Sequence, residues 1–199
     1  MIGRNIELAH RLTAILESPA THIPPASMAV LAQTMAEATA KLAAMATRTG
    51  QPSIGRMLRV HAASSANVAT VVTRGRGSID PAWSSTTSIN QSFVYDSACS
   101  RAAADPKSTF QEVAALCYAH GRILTAMAGY AQRDVEAGHW RDADAAPDAL
   151  RENAESFQVA VRQIETATVN DLVRPTRRRS PAPAPEIAPV NREEPRWDM

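Results

Sequence analysis

Residues 108–137 read STFQEVAALCYAHGRILTAMAGYAQRDVEA, and this stretch decides the fold class. Its apolar side chains recur at intervals of three and four residues, which places them on one face of an α-helix. They are Phe110, Val113, Leu116, Cys117, Leu124, Met127 and Ala131. Ser108, or Asp105 before it, is the expected N-cap, and Gly138 is the expected end. The stretch therefore predicts a long amphipathic helix.

Five further stretches are interpreted as helices from the same periodicity, with proline and glycine separating them. They cover residues 5–17, 28–47, 53–73, 89–104 and 147–173. Ser27 is the expected N-cap of the second helix, after a linker that holds Pro24 and Pro25. About a fifth of the chain is alanine, the best helix former. Residues 1–173 are thus expected to form an all-α domain, an antiparallel helical bundle of four to five long helices plus a short N-terminal helix.

The composition changes abruptly at Arg174, where proline and charged residues replace the apolar pattern. Such a segment cannot build a core, so residues 174–199 are predicted to be a disordered Arg/Pro-rich tail. Arg174, Arg177, Arg178 and Arg179 are candidate contacts to nucleic acid, because clustered guanidinium groups neutralise phosphates. The alternative interpretation is a solvated tail that tethers the domain to a partner.

Charge and cysteine content exclude several classes of protein. The net charge is +1, so no global preference for nucleic acid or an anionic membrane follows. The two cysteines, Cys99 and Cys117, are too few for a disulfide scaffold. Charged residues interrupt the N-terminal apolar stretch, and no window resembles a membrane span. We therefore expect a cytoplasmic protein that makes no membrane contact.

Two histidines fall near the centres of apolar helix faces. His61 lies on the third helix, and His120 lies on the fifth, one turn from Cys117. Imidazole and thiolate are zinc ligands, so these three residues are candidates for binding a metal or small cofactor of unknown identity, with Glu165 as a possible fourth. The alternative is that each histidine makes a hydrogen bond within the core and otherwise packs.

The pattern Glu-x-x-His occurs at residues 7–10 and 136–139. In di-iron bundles this pair points inward and supplies two metal ligands, while two other helices each add a glutamate. Here the first copy lies on the polar face of its helix, and the second straddles Gly138. Glu37 and Glu152 are also expected at the surface. The placement of these glutamates and histidines therefore argues against a di-iron centre.

Arginine precedes histidine by five or six residues at residues 4–10, 56–61 and 133–139. This spacing resembles the active-site motif of HEPN-type ribonucleases, in which histidine acts as a base and arginine stabilises developing charge. The resemblance covers one short motif and implies nucleic-acid binding or cleavage by a helical bundle.

No glycine-rich phosphate loop, nucleophile elbow or paired-cysteine motif is present. No catalytic residue is identified from the sequence. A protein without enzymatic activity is favoured, and whether the protein is an enzyme stays open. Protein–protein interaction or assembly is the function we expect first, through self-association or a partner. The alternatives are a metal- or cofactor-binding bundle that uses core histidines, and the Arg/His nucleic-acid activity. Three methionines of the second helix, Met28, Met35 and Met45, are interpreted as core.

Overall fold

The structure is a computed structural model that describes residues 2–19, 21–74, 86–139 and 145–173. These residues contain no strand and form six helices: α1 (Ile2–Glu17), α2 (Pro25–Arg48), α3 (Pro52–Arg74), α4 (Thr86–Ala104), α5 (Phe110–Glu136) and α6 (Ala145–Val173). The all-α prediction is confirmed. Among the described helices, none has the length and apolar composition needed to cross a membrane. The predicted tail and its four candidate arginines lie outside the described residues.

Two predicted helix caps are wrong. The N-cap of α2 is Pro24 in an extended conformation, with Pro25 in the first helical position. Proline fits there because its fixed φ is already helical and that position needs no N–H donor. Ser27 consequently lies inside the helix and is buried. The N-cap of α5 is Thr109, which forms a reciprocal capping box with Glu112 in place of a cap by Ser108 or Asp105.

Five helices begin earlier than the periodicity predicts: α1 at residue 2, α2 at 25, α3 at 52, α4 at 86 and α6 at 145. The reason is common to them. Polar or small residues occupy most of these first turns, so the apolar repeat begins only further along each helix.

The six helices share one hydrophobic core. α2 packs against α3, α4 and α5, and α5 also packs against α1 and α6. Contacts between α3 and α6 and between α1 and α4 complete the arrangement. Met28, Met35 and Met45 are fully buried, in agreement with their interpretation as core. The antiparallel order of neighbouring helices stays a prediction.

Small residues allow α2 and α3 to approach closely. A Cβ atom added at Gly55 of α3 would lie 2.0 Å from Oγ1 of Thr47 and 2.8 Å from the carbonyl oxygen of Ala43. Both distances are far below van der Waals contact, so this crossing requires glycine. The high alanine content serves the same purpose, since many buried positions of α2 are alanine.

The connection between α1 and α2 is held against the end of α5. Ile23 is completely buried in the common core, although it lies between helices. Arg133 of α5 donates to the carbonyl oxygen of Leu16 at 2.8 Å, where α1 ends. These contacts bring His22, the neighbour of Ile23, to the C-terminal end of α5.

Candidate metal centre

The C-terminus of α5 places one histidine over an aspartate of the same helix. Gly138 has a φ of +72°, which is the left-handed conformation that closes many helices. The His139 amide then donates to the Asp134 carbonyl oxygen, and the Gly138 amide donates to that of Val135, both at 2.9 Å. This pair of bonds is a Schellman motif. It turns the chain back, so that the His139 ring meets the Asp134 carboxylate.

A tyrosine orients that carboxylate from inside the protein. Tyr130 lies one turn before Asp134, and its hydroxyl donates to Oδ2 of Asp134 at 3.0 Å. The Ile23 amide donates to the same hydroxyl oxygen. Burial raises the pKa of Tyr130 above its usual range, and the Asp134 charge adds to the effect. The phenol is therefore neutral and donates a hydrogen bond, and Tyr130 links the α1–α2 connection to Asp134.

His22, Asp134 and His139 form the one group of three potential metal ligands found among the described residues, with ligand atoms all within 4.8 Å of one another. Nδ1 of His22 lies 3.5 Å from Oδ2 of Asp134, and Nδ1 of His139 lies 3.2 Å from Oδ1. The two imidazole rings meet edge to face, with centroids 5.3 Å apart. The Asp134 side chain is 10% exposed, whereas those of His22 and His139 are 37% and 55% exposed.

Each imidazole nitrogen lies from its nearest Asp134 oxygen at close to the spacing of neighbouring ligand atoms around a tetrahedral ion, and the two imidazoles approach different oxygens of the carboxylate. Zn–N and Zn–O bonds of about 2.0–2.2 Å place neighbouring ligand atoms about 3.3–3.6 Å apart. Imidazole and carboxylate are also a donor set that zinc, iron, cobalt and nickel accept. Without an ion, the same contacts are hydrogen bonds or ion pairs between each imidazole and the carboxylate. The cluster therefore offers the donor atoms that a divalent metal needs.

His120, the predicted ligand at the centre of α5, is completely buried in a hydrogen-bonded network. The Thr39 hydroxyl donates to the Met35 carbonyl oxygen at 2.8 Å, so its oxygen accepts from Nε2 of His120 at 2.9 Å. Nδ1 of His120 then accepts from the Tyr95 hydroxyl at 3.2 Å. Burial lowers the pKa of His120 to about 3. Both ring nitrogens of this neutral histidine are thus engaged by protein groups.

His61 and Cys117 do not join His120 in a group of three ligand atoms. His61 is half-buried on α3, and its ring packs edge-on against Phe157 with centroids 5.6 Å apart. The His120 ring packs on the same Phe157, at 5.1 Å. Cys117 is completely buried, and burial raises the pKa of its thiol. A metal or cofactor at these three residues stays a prediction.

The glutamates of the two Glu-x-x-His patterns and Glu165 lie on three different helices, α1, α5 and α6. Glu7 pairs with Arg11 on the exposed surface of α1, as expected for a polar helix face. Glu136 accepts from Gln132 at 2.7 Å, so its carboxylate contacts its own helix while the neighbouring His139 ring contacts Asp134. Glu165 is exposed on α6.

In two of the arginine–histidine pairs, the arginine and the histidine have different surroundings. Arg133 donates to Leu16 and lies over the Tyr130 ring at 5.8 Å, whereas His139 contacts the carboxylate of Asp134. Arg56 is exposed, and His61 packs on Phe157. A ribonuclease activity based on these pairs stays a prediction.

Neither His22 nor Asp134 was identified from the sequence as a member of this cluster. A local signal was present for part of the cluster, since Tyr130 and Asp134 are one helical turn apart and Gly138 marks a Schellman end just before His139. His22 lies between helices and carries no periodicity, so only the folded chain brings it to the other two residues.

Comparison with protein-family models, curated proteins and solved structures finds no match to this chain.

Proposed function

We propose that this protein is a helical-bundle protein that binds one divalent transition-metal ion through His22, Asp134 and His139, with zinc as the reference ion. The observation that carries the proposal is the convergence of two imidazoles on one carboxylate, at 3.2 and 3.5 Å. Each distance is close to that between neighbouring ligand atoms of a tetrahedral ion.

Preorganisation supports the proposal. Each ligand is held by an element that does not depend on the ion: the Schellman motif holds His139, the Tyr130 hydroxyl orients Asp134, and buried Ile23 anchors His22. A ligand whose partners fix its orientation loses little freedom when an ion binds. The hydrogen bond from Tyr130 to the ligating carboxylate is of the kind that surrounds metal ligands generally.

The test is zinc binding by the full-length chain after removal of metal, measured by competition with a chromophoric chelator. We expect one ion per chain. We expect His22→Ala, His139→Ala and Asp134→Asn each to weaken zinc affinity by more than about 10-fold, because each removes a ligand. Tyr130→Phe keeps all three ligands and is expected to weaken affinity by about 10- to 100-fold through loss of carboxylate orientation.

His10→Ala is the matched control, because His10 is an exposed histidine of α1 outside the cluster. Its zinc affinity should equal that of the native chain. Equal zinc binding by the native chain and by the His22→Ala/His139→Ala double variant would overturn the proposal.

Self-association is a second candidate function, favoured by an exposed apolar surface on α4. Phe93 is 51% exposed and Val94 is 41% exposed. Phe93 borders a groove of about 420 Å³ between α2, α3 and α4, and the groove is lined partly by Ala29, Val30 and Ala69. Apolar side chains grouped beside a groove are typical of protein-binding surfaces.

Light scattering coupled to size exclusion tests self-association directly. If α4 mediates it, Phe93→Ser shifts the mass of the native chain toward the monomer. Val159→Ser is the matched control, since Val159 is 47% exposed on α6, away from the groove. A monomeric native chain would contradict this second candidate.

A further inference from the structure

The cluster of His22, Asp134 and His139 is nearly buried at Asp134 and exposed at the two imidazoles. This difference in exposure indicates where a further ligand of a bound ion would lie. We propose that the ion keeps one coordination position facing solvent and that this position takes a small anion. The inference rests on the proposed metal binding at His22, Asp134 and His139.

The number and kind of ligands in the cluster indicate an open coordination position. The group comprises three residues within the described part of the chain. Structural zinc sites are closed by four protein ligands, whereas sites with three protein ligands hold water or an exogenous molecule in the fourth position. A position filled by water exchanges its ligand readily compared with one filled by a side chain.

The charge of the cluster favours an anion in that position. Two neutral imidazoles and one carboxylate leave a divalent ion with a net charge of +1. The Asp134 side chain is 10% exposed, so the ion would lie beside a mostly desolvated carboxylate. Unbalanced positive charge at the edge of a low-dielectric interior favours an anionic fourth ligand over a neutral one. Hydroxide and small anions with oxygen or nitrogen donors fit this requirement.

The three side chains of the cluster differ in their exposure to solvent. The Tyr130 hydroxyl donates to Oδ2 of Asp134, the oxygen that His22 also approaches, and Ile23, whose amide contacts the same hydroxyl, is completely buried. The His22 and His139 side chains are 37% and 55% exposed, so both rings are accessible to solvent. An ion held between the carboxylate and these rings is therefore approached from the side of the rings.

Cobalt(II) is the probe, because it takes zinc sites and its visible d–d absorption depends on its ligands. The full-length chain is loaded with one equivalent of Co²⁺ and titrated with azide, and cobalt retained on the protein is measured after each addition. We expect the absorption to shift and to saturate at one azide per cobalt, with cobalt retained. His10→Ala should give the same titration as the native chain.

The failures of the two proposals are distinguishable. If Co²⁺ does not bind, or binds equally to the His22→Ala/His139→Ala variant, the metal site itself is refuted. If Co²⁺ binds tightly at the cluster but azide leaves its absorption unchanged, the metal site stands and the open position is refuted. Loss of cobalt to azide without a saturable spectral change also refutes the open position.

Discussion

The buried histidine of α5 makes the stability of this protein depend on pH in a defined window. His120 is completely buried and neutral, and burial lowers its pKa to about 3 from 6.5. Between these two values the unfolded chain binds a proton that the folded chain excludes, so acidification favours unfolding. The contribution is fully present above pH 6.5 and is lost progressively as the pH falls toward 3.

The size of the effect follows from the shift. Each pH unit below 6.5 costs about 1.4 kcal/mol of stability until the folded pKa is reached. Moving from pH 7 to pH 5 therefore removes about 2 kcal/mol through His120 alone. Native domains are stable by only about 5–15 kcal/mol, so this loss is readily measured.

Urea unfolding at pH 7 and pH 5 measures it, with His120→Gln as the comparison because glutamine does not titrate. The native chain should lose about 2 kcal/mol more than the variant between the two pH values. Imidazole NMR of the native chain provides a measurement that does not depend on the variant folding. His120 should show no titration above pH 5. A midpoint near 6.5, or equal losses in the two proteins, would refute the argument.

Two glycine positions, each compared with a control glycine, give two further predictions. Gly55→Ala should destabilise the protein by about 1–3 kcal/mol, because the added Cβ would lie 2.0 Å from Oγ1 of Thr47. Gly129→Ala is the control, since its Cβ would meet nothing closer than 3.8 Å, and it should be neutral or stabilising by up to about 1 kcal/mol. Thermal or urea unfolding measures both changes. Gly138→Ala and Gly50→Ala should both destabilise by about 1 kcal/mol or more, because both glycines have positive φ. Only Gly138→Ala should also weaken zinc binding, since Gly50 is remote from the cluster; equal zinc affinities for the two variants would contradict the role assigned to the Schellman motif.

The fold class was predictable because the residue pattern that forms each helix lies within one short stretch of sequence. The apolar repeat of residues 110–131 specifies a helix and the face it buries, and His120 at its centre is fully buried as that face requires. Helix starts were less predictable. Polar first turns carry no apolar repeat, and Pro24 and Pro25 mark the start of α2, although they were interpreted as a linker.

The candidate site was only partly predictable, for a physical reason. Asp134 and His139 are brought together by the Schellman motif at the end of α5, which Gly138 indicates in the sequence. His22 reaches them only because buried Ile23 and the end of α1 pack against α5. Such contacts depend on how helices pack, and packing is not encoded in the period of any one segment.

Zinc-edge X-ray absorption of the zinc-loaded chain tests the central claim most directly, because it reports which atoms bind the ion. We expect nitrogen and oxygen ligands at about 2.0–2.2 Å, with scattering from two imidazoles and no sulfur, since His22, Asp134 and His139 offer no thiolate. A sulfur ligand at about 2.3 Å would contradict the account and would place the ion at a cysteine, such as Cys117 beside His120. A chain that retains no zinc would contradict it as well.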